Sequence, residues 1–84
     1  MPSRHLRTLA EVFEDPVRAN ILWSDVESML RYLGATPKER AGSRVAFTLN
    51  GRRSVFHKPH PRKEISPAMV RDLRMFLAES GVEP

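Results

Sequence analysis

Residues 43–57 read SRVAFTLNGRRSVFH, and this stretch decides the fold. Val45, Phe47 and Leu49 alternate with Arg44, Ala46 and Thr48, the period of a half-buried strand. Asn50-Gly51 is the dipeptide of a two-residue type I′ hairpin, and Arg52 to His57 is the return strand. A two-residue turn sets Leu49 opposite Arg52, Phe47 opposite Ser54, Val45 opposite Phe56 and Arg44 opposite His57. One face then collects Val45, Phe47, Leu49 and Phe56, a core face. The other collects Arg44, Thr48, Arg53 and His57, with Ala46 and Val55 between them. A slip of one residue would send His57 inward. In the expected register an imidazole stands beside a guanidinium, one able to take a proton and the other to bind a phosphate.

Thr36 to Arg40 reads as a short strand, which Pro37 confines to a sheet edge or a strand start. Pro59 and Pro61 lack the N–H of a ladder and end the return strand. Three helical stripes flank the strands. Arg4 to Phe13 places Leu6, Leu9, Ala10 and Phe13 on one side, with Ser3 as N-cap, Asp15-Pro16 as the stop and His5 on the solvated side. Ser24 to Glu27 matches a capping box, followed by Val26, Met29, Leu30 and Leu33 and a terminating Gly34. Trp23 is expected to pack as a staple or core residue. Ser66-Pro67 opens the last helix, whose apolar face is Met69, Val70, Leu73, Phe76 and Leu77, and Gly81 closes it.

The chain has 84 residues and no cysteine, which allows one small core and excludes disulfide scaffolds and thiolate zinc fingers. Neither a transmembrane run nor a signal-peptide stretch is present, so a cytoplasmic protein without a membrane partner is expected. Net charge is +4, unevenly spread. Residues 38–63 hold eight basic side chains against Glu39 alone, a net +7, while the flanking segments are slightly acidic. Such a concentration points to an anionic partner, with RNA or DNA foremost. His57 and His60 are three apart, but no third ligand has convincing spacing, so neither a metal nor another cofactor is expected.

From Gly42 to Val82 the chain resembles the HicA family of toxins. The resemblance is carried by Gly42-Ser43 opening a strand, by Asn50-Gly51-Arg52-Arg53-Ser54-Val55 at the hairpin, and by Pro59-His60-Pro61 before a terminal amphipathic helix. Trp23 to Gly34 is similar to the family's first helix. The resemblance implies an α+β, double-stranded-RNA-binding-like fold: a three-stranded antiparallel sheet with helices on one face. Residues 1–22 would be an N-terminal helical extension and 23–84 the HicA-like domain.

It also implies a metal-independent, RNA-cleaving toxin neutralised by a HicB-like antitoxin. The family's catalytic His directly follows the Gly-Ser, where this chain has Arg44. His57, facing Arg44 across the ladder, is the expected relocated imidazole. RNA cleavage without a metal needs a base, an acid and a cation for the developing charge. His57, His60 and Arg44 are the catalytic candidates, and His60 has the alternative of a plain turn residue. Arg44, Arg52, Arg53, Lys58, Arg62 and Lys63 are the RNA-binding candidates. Two other readings stay open: a catalytically silent RNA- or antitoxin-binding member, and a protein-interaction module whose basic face meets an acidic partner.

Overall fold

A computed structural model describes residues 3–60 and 62–84, so the expected role of Pro61 lies outside the described residues. Three helices and three strands follow in the order α1 (Ser3–Val12), α2 (Trp23–Tyr32), β1 (Thr36–Arg40), β2 (Arg44–Leu49), β3 (Arg52–His57) and α3 (Pro67–Glu79). The strands form one antiparallel sheet in the order β1-β2-β3. This is the expected α+β arrangement. The hairpin register is the anticipated one, from Leu49 opposite Arg52 to Arg44 opposite His57. Asn50 and Gly51 both take positive φ, 51° and 81°, as a type I′ turn requires.

Val45, Phe47, Leu49 and Phe56 are buried under the helices together with Val26, Met29, Leu30, Val70, Leu73 and Leu77. Trp23 joins this core, its ring 6.3 Å from that of Phe47 and 6.4 Å from that of Phe56. Phe56 in turn meets Phe76 of α3 edge-on at 5.8 Å. Ser66 caps α3 by accepting the Met69 N–H at 3.1 Å, with Pro67 at the first helical position. At the other end Gly81, at φ 82°, turns the chain so that Val82 N–H reaches Leu77 O at 2.8 Å. Asn50 Nδ2 donates to Ser80 O at 2.7 Å, tying the hairpin turn to the end of α3.

Two local expectations are corrected. The capping box at Ser24 is not used: the helix starts at Trp23, with Leu22 at the N-cap and no side-chain cap. Tertiary pairing sets that start instead. Trp23 N–H donates to Lys63 O and Ile65 N–H to Ile21 O, both at 2.9 Å, around a bridge between Leu22 and Glu64. The Trp23 N–H is thus held by the strand-like approach to α3, and the N–H groups of Asp25 and Val26 by Leu22 O.

The buried stripe of α1 is also rotated. It consists of His5, Thr8, Leu9 and Val12, while Leu6 is 46% exposed and Ala10 lies in solvent. Thr8 can be buried because its hydroxyl donates to Arg4 O at 3.0 Å. His5 is not solvated: its ring stacks on Tyr32 of α2, centroids 4.7 Å apart. Arg74 of α3 donates through Nε and Nη2 to the carbonyls of Val12 and Glu14, holding the end of α1 against the bundle. Leu9, Val12 and Ile21 belong to the same apolar cluster as the rest of the chain.

Candidate functional site

The sheet face away from the helices is built from three cross-strand rows. Arg40, Arg44 and His57 form the first, Lys38, Ala46 and Val55 the second, and Thr36, Thr48 and Arg53 the third. No acidic side chain lies in these rows, and Arg40 stands directly opposite Arg44. Like charges facing each other across a ladder are unfavourable without a counter-charge. Ala46, although on this face, is only 2% exposed because Lys38 and Val55 flank it.

The first row is anchored to the turn at 41–43. Gly42 and Ser43 take positive φ, 74° and 61°, which turns their carbonyls toward the sheet end. All three carbonyls of the turn are held by site residues. Arg44 Nε donates to Ala41 O at 2.9 Å, His57 Nε2 meets Gly42 O at 2.8 Å, and Lys58 N–H donates to Ser43 O at 2.8 Å. A carbonyl oxygen only accepts, so His57 Nε2 carries its proton, and in the neutral ring Nδ1 keeps a free lone pair. Arg44 spends one donor on the turn and retains its terminal guanidinium nitrogens.

Beside this row opens a groove of about 790 Å³ whose lining includes His57, Lys58, His60, Arg62, Asn20 and Met69. Lys58 Nζ pairs with Glu39 of β1 at 2.7 Å. Among the described residues, no three His, Cys, Asp or Glu side chains stand together as a metal-binding group.

The expected site residues divide into three groups. Arg44, Arg53 and His57 share the open face, while Lys58, His60 and Arg62 border the groove next to it. Arg52 is placed elsewhere, pairing with buried Leu49 on the helix side of the hairpin end. Lys63 is also off the face: its carbonyl receives the Trp23 N–H, and its side chain is exposed. Lys38 and Arg40 were missed as binding candidates. The alternation of Thr36, Lys38 and Arg40 with Pro37 and Glu39 carries the signal, once the 41–43 turn sets Arg40 against Arg44.

No described helix is long and apolar enough to cross a membrane. No curated protein and no solved structure matches the chain. A family model described as the HicA toxin of bacterial toxin–antitoxin systems matches residues 23–82, more than two thirds of the chain. With the helix, three antiparallel strands and helix that those residues form, the chain belongs to the HicA toxin family.

Proposed function

We propose that the protein is the toxin of a HicA/HicB-like pair, cleaving RNA without a metal and held in check by a HicB-like antitoxin. Residues 23–84 are the toxin domain in this reading, and 1–22 an extension of it. The observation that carries the reading is the bond between His57 Nε2 and Gly42 O, which orients an imidazole beside Arg44 with Nδ1 free. Nδ1 removes the proton of an RNA 2′-hydroxyl, and the 2′-oxygen attacks the adjacent phosphorus. Arg44 and Arg40 stabilise the charge that builds on the phosphoryl oxygens. His60, which lines the same groove, returns a proton to the departing 5′-oxygen, leaving a cyclic phosphate and a free 5′-hydroxyl.

One observation favours a second reading. The residue after Gly42-Ser43 is Arg44, and the ring of His57 is already bonded to the turn, which suits a silent member that only binds RNA and antitoxin. Incubating the purified chain with RNA, beside His57→Ala, separates the two: cleavage lost in the variant selects the toxin, and RNA binding without cleavage in either protein selects the silent binder.

A further inference from the structure

The groove beside His57 is mixed in chemistry. Its lining joins the imidazoles of His57 and His60 and the cations Lys58 and Arg62 to the apolar side chains of Pro59 and Met69. Its volume of about 790 Å³ lies within the range of small-ligand sites. Cations hold phosphate, whereas flat or apolar side chains hold an unstacked base. Ala19 and Asn20, which precede the family-matched residues 23–82, also line it. Asn20 has φ 69°, a left-handed conformation that Asn tolerates better than most residues. Its amide offers both a donor and an acceptor, the pairing that reads a base edge.

We propose that this groove holds one unstacked nucleotide of single-stranded RNA, phosphate toward Lys58 and Arg62, base against Pro59 and Met69, with Asn20 at the base edge. The segment before α2 thereby becomes part of the substrate site and sets base preference. This rests on the RNA-cleaving reading and names which part of the RNA the site grips.

The test is NMR titration of the full chain with each of the four ribonucleoside 3′-monophosphates, followed by a short single-stranded RNA and a short RNA duplex. Shifts confined to Asn20, Lys58, Ser66 and Met69, unequal among the four bases, are expected. Asn20→Gly, which keeps the left-handed φ and removes the amide, is expected to weaken the preferred nucleotide about fivefold to tenfold and to level the preference. Single-stranded RNA that shifts only the open face at Lys38, Arg40 and Arg53, with no groove response, overturns the proposal and leaves RNA binding intact. A groove that responds equally to all bases and is insensitive to Asn20→Gly overturns the role of Asn20. No response to any RNA overturns the parent reading as well.

Discussion

The ring of His57 and the carbonyl of Gly42 are joined at 2.8 Å across the end of the sheet, fixing which nitrogen of the imidazole faces outward. Gly42 belongs to a turn whose neighbouring carbonyls, of Ala41 and Ser43, are held by Arg44 and by the Lys58 amide. The turn is thus a template for the site: the chain reversal that starts β2 also positions the side chains of His57 and Arg44.

From this bond follows a split between two variants of His57. His57→Gln keeps an amide donor for Gly42 O but cannot take a proton, so RNA cleavage is expected to fall by about 100-fold or more with little loss of stability. His57→Ala loses both, with a further stability loss of about 1 kcal/mol. Nitrogen-15 chemical shifts of the wild-type ring should show the Nε2–H tautomer. An Nδ1–H tautomer would contradict the assignment of the base.

Affinity for RNA should follow the rows of the open face and ignore the hairpin's far side. Arg40→Gln and Arg53→Gln are each expected to lower the slope of log affinity against log salt by about 0.7, the loss of one phosphate contact on a single strand. Arg52→Gln, on the helix side, is expected to leave the slope unchanged. Fluorescence anisotropy across a salt series reads both.

Stability of the hairpin depends on Asn50 in two ways, through its left-handed backbone and through its bond to Ser80 O. Asn50→Ala loses both and is expected to cost about 2 kcal/mol. Asn50→Gly keeps the turn and loses only the bond, so its melting temperature should fall by roughly half as much. Thermal denaturation followed by circular dichroism distinguishes them.

Removing the guanidinium of Arg74 tests whether α1 is an integral part of the core. Arg74→Met frees the carbonyls of Val12 and Glu14 and is expected to cost about 2 kcal/mol of stability. Amide exchange in α1 should accelerate, while affinity of the open face for RNA stays at the wild-type level.

Local chemistry made the hairpin legible. Asn50-Gly51 admits one turn type, and the turn admits one register, so the pairing of Arg44 with His57 could be read from spacing alone. Ser66-Pro67 and Gly81 were equally direct because caps act within a few residues. Where a distant segment intervenes, spacing carried less. The start of α2 depends on Lys63 and Ile65, some forty residues away, and so overrode the capping signal at Ser24. The inward face of α1 depends on Tyr32 and Arg74, which no periodicity within residues 3–12 contains. In the site, the role of the 41–43 carbonyls was invisible for the same reason, and Lys38 and Arg40 came into view only when β1 acquired a register.

Cleavage of a single-stranded RNA by the purified full chain, wild type beside His57→Gln, is the decisive measurement. The wild type is expected to cut with a chelator present and to leave cyclic-phosphate ends, and the variant to bind the same RNA without cutting it. An equal rate of cutting by His57→Gln, or RNA left intact by a wild-type chain that binds it, would contradict the assignment of His57 as the base.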